Sequence, residues 1–491
     1  MNKFLRALLI SATLGTLTAC MVGPDYEAAE VSLPEHWVLE LEQSQQQRQQ
    51  EWQHWWQQFN DPVLEHLVVS ALEQNLELRA QYERINEARA QLGFADAERF
   101  PTIGYQAQAS RERLPGTALP IDNEMIQELI QTTYTTYTVS ATLAYELDLW
   151  GRVTRQREGA AASVGQRAYD YEAARLSLIA DVVTTYIELR ASSAQYQTAL
   201  QIVDDYEDAL ELQQLRFAEG QVAELVVQQT RTELATARAD LPRLRAQRSG
   251  LESAMAILLG LNPQQVFSGF EEGLHHTRVD DMQLPEQLPN LIPAELLERR
   301  PDILAAEQGV RAAVAQAGVA EADRLPRISI QGFFGTVATS SSDLFSSNSR
   351  AWGLTGDLAG PLFDFGRLAA GVDIANVQMR LATTQYEAIV NAAYVEVRDA
   401  LNFYEQQLAL YDALLDQQRS IERQLDMVTD AYAIGLVSYL DVLDARRGYA
   451  NSSQALASAR GQLLSASATL FKALGGDWQS TQDRDQVASN K

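Results

Sequence analysis

The chain is poor in cysteine, histidine and basic charge, and past its first residues it has no long apolar run. Its single cysteine is Cys20, which excludes an internal disulfide and a thiolate metal cluster. Of 5 histidines only His275 and His276 lie together; adjacent residues cannot share one face of a helix or strand, so no metal site is expected. Lys and Arg number 39 against 65 Asp and Glu, a formal charge of −26. With no basic stripe to neutralise phosphates, nucleic acid is excluded as a partner. There is no glycine-rich phosphate loop, no nucleophile elbow and no ligand cluster, so neither an enzyme nor a non-covalent cofactor is expected. No later apolar run reaches the ~18 residues of a membrane-spanning helix. Such a chain can cross a bilayer only as strands.

What is present begins with a secretory signal over residues 1–19, where Lys3 and Arg6 precede an apolar core ending near Leu17. Leu17-Thr18-Ala19-Cys20 resembles the bacterial lipobox, in which the cysteine becomes the new N-terminus and is lipidated. That resemblance implies N-palmitoyl and S-diacylglycerol groups on Cys20, and Met21 in place of Asp implies sorting to the outer membrane of a Gram-negative bacterium. Each buried CH₂ of such chains contributes ~0.8 kcal/mol, so Cys20 would be a firm tether. Residues 20–60 read as an extended arm ending on Trp52, Trp55, Trp56 and Phe59, side chains large enough to require a packing partner.

The rest is a tandem duplication. Phe217–Arg231 and Tyr432–Arg447 are near-copies that align Gly220 with Gly435, Val222 with Val437, Leu225 with Leu440 and Arg231 with Arg446, 215 positions apart. Further upstream the spacing is 225, aligning Gly93 with Gly318, Arg99 with Arg324 and Pro101 with Pro326. We therefore read repeats over 61–275 and 276–475, then a polar tail over 476–491. Each copy has the grammar of a helix ending on glycine and another starting, and Ser438 with Asp441 forms a capping-box pair. The turns fall at 217–223 and 432–438.

Asp61 as N-cap and Pro62 at N1 open a helix running to Arg99, with its twin from Pro293 to Arg324. Arg152 to Phe217 holds no proline and spans roughly 100 Å as a helix; its twin is Arg367 to Tyr432. The return helices, 223–259 and 439–474, are shorter. By length, 223–259 is expected to stack end to end on 293–324, and 439–474 on 62–99.

After Pro101 and Pro326 the period changes to two. Tyr137, Val139, Ala141, Leu143, Tyr145 and Leu147 alternate with polar or small residues, which predicts strand hairpins at about 102–149 and 327–363. Four strands cannot close a barrel, and open edges are not tolerated in lipid. Several chains must therefore assemble. The alanine-rich helices are read as a wall around a hollow centre, since large residues at core spacing are too sparse for a solid bundle.

The lipobox followed by Val22-Gly23-Pro24-Asp25-Tyr26, the Trp55-Trp56-Gln57-Gln58-Phe59 block, Arg299-Arg300-Pro301-Asp302-Ile303 and the turn around Gly435 resemble the outer membrane factors. These are the TolC family, and the likeness is greatest to its lipoprotein branch of OprM, CusC and NodT-type proteins. The resemblance implies a mainly α fold with a transmembrane β-barrel: a homotrimer whose 12-stranded barrel, four strands per chain, continues as a long periplasmic α-helical barrel. It implies the exit duct of a tripartite efflux system, with a periplasmic adaptor (membrane fusion protein) and an inner-membrane transporter of the RND type as partners. It places a periplasmic gate at Asp441, Asp444 and Tyr432, and adaptor contacts at Gly220, Val222, Gly435, Val437 and Ser438. Val437 stands where a basic residue locks the turn in TolC itself, leaving Arg446 and Arg447 as candidates for that pairing. Asp441 also has a plainer reading as a helix cap that offsets the macrodipole. A duct for type I protein secretion or metal efflux, and a pore-less coiled-coil lipoprotein, are the alternative readings.

Overall fold

The computed structural model describes residues 21–28, 54–113, 133–262, 264–265, 279–285 and 296–476. The signal segment, Cys20, Trp52, His275, His276 and the tail beyond Gly476 lie outside the described residues. The longer helices are α1 (Pro62–Gln74), α2 (Leu76–Ala97), α3 (Arg152–Ala218), α4 (Glu224–Leu258), α5 (Pro301–Ala322), α6 (Arg367–Ala433) and α7 (Tyr439–Ala473). The chain divides into two compact units that cut across the repeats: Met1–Ala29, Asn86–Gln166 and Glu307–Gln385 form one, and Glu30–Ile85, Arg167–Ala306 and Tyr386–Lys491 the other.

The first unit carries the sheet. Strands β1 (Thr102–Arg113), β2 (Thr133–Leu147), β3 (Arg327–Ala338) and β4 (Arg350–Ala359) are antiparallel and adjacent in chain order. The hairpin of one repeat thus pairs with the hairpin of the other, and β1 and β4 are left as edges. Side chains alternate across the pleat. One row runs Tyr105, Ala141, Phe334, Trp352, and its aromatic members are 93%, 67% and 76% exposed. The row beside it, on the opposite face, runs Gln106, Ser140, Gly335, Ala351. At 10 to 15 residues the strands match or exceed the ~9–11 that cross a bilayer with tilt.

Residues 21–28 lie against the same unit. The Val22 N–H donates to the Trp150 carbonyl at 3.2 Å, just where β2 gives way to α3. Asp25 pairs at 2.6 Å with the buried guanidinium of Arg155. Tyr26 donates to Glu307 at 2.8 Å, and Arg311 lies over its ring at 4.5 Å. Burial, and then the bond to Glu307, push the Tyr26 phenol up to about 12.

In the second unit the Trp55–Phe59 turn is a 3-10 helix driven into the helix wall. Trp55 stacks on Phe471 with ring centres 5.1 Å apart. Asp61 follows as the expected cap, accepting from the Val63 and Leu64 amides. Its second oxygen accepts from Tyr186 at 2.9 Å and faces Arg190 at 3.4 Å. The Asp61 and Arg190 side chains are 4% and 0% exposed, so this is a buried ion pair.

The structure corrects two expectations. The single helix expected over 62–99 is broken at Asn75, whose backbone turns extended. The stacking is also the reverse of that expected, because each return helix abuts the short helix of its own repeat. Asn75 explains both: its Oδ1 accepts from the Leu78 amide to cap α2, while its Nδ2 donates at 2.8 Å to the Leu258 carbonyl at the end of α4. Its twin, 225 positions on, is Arg300, which donates at 2.8 Å to the Ala473 carbonyl at the end of α7 and binds Asp302 at the start of α5. Length could not decide the pairing, since the two short helices are alike in length. Helix α4 also runs through Pro242, a feature absent from the sequence reading; Pro242 is exposed, while Leu234 and Leu244 are buried in the core.

Breaking a buried pair by removing one partner costs about 3–5 kcal/mol. Arg190→Leu should therefore lower the thermal midpoint of the detergent-solubilised protein well beyond Arg238→Leu, which removes an exposed pair. Equal midpoints would show that Asp61 finds its compensation elsewhere.

Candidate functional site at the helix turns

Both long helices end the same way. At the first turn Gly220 takes φ 72°, its N–H bonds to the Phe217 carbonyl and the Gln221 N–H reaches back to Arg216. At the second Gly435 takes φ 78°, bonds to Tyr432, and the Leu436 N–H reaches back to Ala431. Only glycine adopts this left-handed conformation without cost. Val222 and Val437 are half-buried beneath the turns. Ile434 and Leu436, both 74% exposed, stand out from the second.

The helices that follow start differently. Helix α4 has Ala223 at its N-cap and no side-chain cap. Helix α7 has the capping pair: the Asp441 carboxylate accepts from the Ser438 amide at 2.8 Å and from the Ser438 hydroxyl at 2.7 Å. Those two bonds hold the Asp441 carboxyl below its ordinary value. Asp444, one turn on, pairs with Arg447 at 2.6 Å, and Arg447 also faces Glu233 of α4 at 3.6 Å. Arg446 instead donates to the Asp205 carbonyl.

Tyr432 ties the two turns together. Its hydroxyl accepts from Arg216 at 2.9 Å, the guanidinium sits 5.5 Å over its ring, and Tyr439 packs 5.3 Å away. Below them Val203, Tyr206, Leu234, Tyr439, Val442 and Leu443 form one buried cluster, and burial pushes the Tyr206 phenol up to about 12. Beside this core lies a cleft of about 530 Å³ where Asp205, Asp426 and Asp430 surround Arg446. The structure thus gathers Tyr432, Val437, Ser438, Asp441 and Asp444 around one turn, with Gly220 and Val222 at the other. Sequence reasoning missed Arg216; its place in the last turn of α3, where cations are favoured, was the one available signal. Among the described residues no group of His, Cys, Asp and Glu is arranged to hold a metal ion. No described helix is long and apolar enough to cross a membrane.

The family described as "Outer membrane efflux protein" matches residues 67–261 and 292–476, once in each repeat. The chain is an outer membrane efflux protein. Among its relatives, the solvent efflux pump outer membrane protein SrpC of Pseudomonas putida is 31% identical over 87% of both chains. Outer membrane protein OprJ of Pseudomonas aeruginosa is 31% identical over 96% of this chain and 95% of its own. The solved outer-membrane channel OprN superposes with a TM-score of 0.84 at 30% identity, over 94% of this chain and all of its own. The mainly helical fold, the four-stranded sheet, the outer-membrane location and the role as a passive efflux channel accord with this membership. In this outer membrane efflux protein the two helix turns are joined by the hydrogen bond from Arg216 to the Tyr432 hydroxyl.

A carboxyl whose folded pKa is depressed contributes above the ordinary carboxylate range and loses that contribution as pH falls through the lowered value. Protection of the α7 first-turn amides against hydrogen exchange, corrected for intrinsic rate, should therefore hold from pH 7 to 5 and fall only below about pH 4. Asp441→Ala should show the low protection already at pH 7, and Asp444→Ala should not. Equal protection in all three proteins would remove Asp441 from the cap.

Proposed function

We propose that three copies of this chain close a 12-stranded barrel through the outer membrane and a helical conduit beneath it. Drugs, solvents and other small toxic compounds delivered by an RND-type inner-membrane transporter would leave through it, with a periplasmic adaptor between the two. The observation that carries the reading is the sheet: four strands with an exposed aromatic face and two unpaired edges, β1 and β4. A second copy is the partner that supplies matching edges. In the same unit Ile374, Val377 and Leu381 of α6, each more than half exposed at helical spacing, form a further apolar stripe. The cargo class rests on relatives named for solvent, toluene and antibiotic efflux.

Lipidation of Cys20 by N-palmitoyl and S-diacylglycerol groups belongs to the same proposal. Its support is the lipobox pattern of the sequence together with the docking of Val22, Asp25 and Tyr26 on the unit that carries the sheet. On the second unit, Gly220, Val222, Gly435, Val437 and Ser438 are the proposed adaptor contacts, favoured by the exposed Ile434 and Leu436 beside them. Asp441, Asp444 and Tyr432 are the proposed gate, with Arg216 as the residue that holds Tyr432.

The purified protein should have three times the chain mass in detergent and conduct in planar bilayers. Asp441→Ala with Asp444→Ala should lessen divalent-cation block, and Tyr432→Phe should raise conductance by releasing Arg216. A stable monomer without conductance would defeat the proposal. On the lipid face, Trp352→Arg should reduce trimers recovered from the outer membrane, since a basic residue near mid-bilayer costs ~2–4 kcal/mol in such barrels. Undiminished recovery would mean the aromatic row does not face lipid.

A further inference from the structure

On the second unit, α3, α4, α6 and α7 enclose a half-open groove of about 680 Å³. Its floor is made by close approach of α3 and α7: a Cβ on Gly461 would come within 2.6 Å of the Ala191 Cβ. Its walls are neutral amides and hydroxyls, from Gln195, Gln247, Gln462 and Ser192, with one aromatic ring from Phe403. Among the residues lining it, Glu188 alone carries charge. That carboxylate has no cationic partner among the described residues, and burial pushes its pKa up. The residue is nonetheless exposed in the groove, so its carboxylate is open to a ligand and no ion pair among the described residues occupies it. The charges one turn away are engaged elsewhere, Arg248 with Glu252, Lys472 with Asp181, and Arg190 with Asp61. Ser192, 1% exposed, also lines the groove with a hydroxyl that has no hydrogen-bond partner among the described residues.

The groove lies on a definite side of the wall. Glu188, Ser192 and Gln195 recur at helical spacing on α3, on the face opposite Tyr186 and Arg190, which hold the Trp55–Asp61 segment. On α7, Gln462 and Ser465 likewise face away from Phe471, the residue stacked on Trp55. A segment packed on a conduit wall belongs outside it, or three copies would fill the passage. The groove therefore faces the interior.

We propose that this groove is a binding station for organic cations with an apolar or aromatic body, seated with the positive centre at Glu188 and the body against Phe403. The proposal rests on the reading of the chain as a trimeric conduit, and it adds a residue-level preference that the open sheet edges do not imply. A cation seated in the groove beside a carboxylate and an aromatic face is held by both Coulomb attraction and the ring quadrupole. The surrounding amides and hydroxyls can accommodate varied polar groups without selecting one. Such a station would be shallow, as transit requires binding that also releases.

Tetraphenylphosphonium and tetraphenylborate, similar in shape and opposite in charge, provide the test in single-channel recordings. The cation should reduce the current of the full-length protein at concentrations about tenfold lower than the anion. Glu188→Gln should raise the half-blocking concentration of the cation about tenfold, measured against each variant's own probe-free current, and Phe403→Ala should raise it several-fold. Glu188→Asp, which keeps the charge, should retain most of the block. Equal block by both ions, or block unchanged in Glu188→Gln, would overturn the station while leaving the conduit intact. A loss in Glu188→Asp as large as in Glu188→Gln would also overturn it, by showing that Glu188 shapes the wall rather than attracting the cation. Absence of any current from the unsubstituted protein would instead sink the conduit reading itself.

Discussion

The constraint on which the rest depends is that a sheet in lipid cannot leave backbone groups unpaired. Strands β1 and β4 each present a row of N–H and C=O groups along a free edge, and each unmatched group in hydrocarbon costs several kcal/mol. Four strands are too few to turn the sheet back on itself, so matching edges must come from further copies. This also accounts for the polar, alanine-rich helices. A helix belonging to a shared wall needs only narrow contacts with its neighbours, and small residues let backbones approach, as Ala191 and Gly461 do.

A long wall also has to be built from pieces, and the structure joins them with side chains that serve two helices at once. Asn75 caps the start of α2 and satisfies a carbonyl at the end of α4. Arg300 does the equivalent for α5 and α7, with Glu396 of α6 as a third partner. Helix ends leave several backbone groups without partners, and a buried break would ordinarily be expensive. Here each end supplies what the other lacks, so the joint adds no large unsatisfied residue of polarity to the wall.

Much of this was legible in the sequence because it depends on local rules. The period-two runs after Pro101 and Pro326, the proline-free stretches that became α3 and α6, and the Ser438–Asp441 cap all follow from spacing within a few residues. The joints did not follow, because they are tertiary. Nothing local to Asn75 breaks a helix, and only its 225-residue relation to Arg300, which precedes Pro301, hinted that the position is a boundary. The site divides in the same way. Asp441 and Tyr432 stand in a recognisable turn, whereas Arg216 becomes meaningful only once α3 and α6 are seen to end side by side. Glu188 is one acid among many in the sequence, and its lack of a cationic partner among the described residues is a property of the fold.

The duplication makes the turns nearly equivalent, and the differences between them are therefore informative. Arg216 corresponds to Ala431, and Tyr432 to Phe217, so the hydrogen bond that ties the turns runs between positions that are not twins. Phe217 has no acceptor and Ala431 no donor, so the reciprocal tie cannot form. The capping acid and its neighbour are likewise one-sided, since Val226 and Gln229 occupy their places in the first repeat. A wall of equal hairpins would have no reason to move one of them before another. The Asp441–Ser438 bonds and the Asp444–Arg447 pair give the second turn polar contacts with no counterpart at the first turn, although α3 and α4 of the first hairpin are tied farther along by Arg238–Glu207 and Arg245–Tyr196. The restraints on the second turn therefore combine these polar bonds with the buried packing of Tyr439, Val442 and Leu443 against Val203, Tyr206 and Leu234, and a displacement of that turn would have to exchange both.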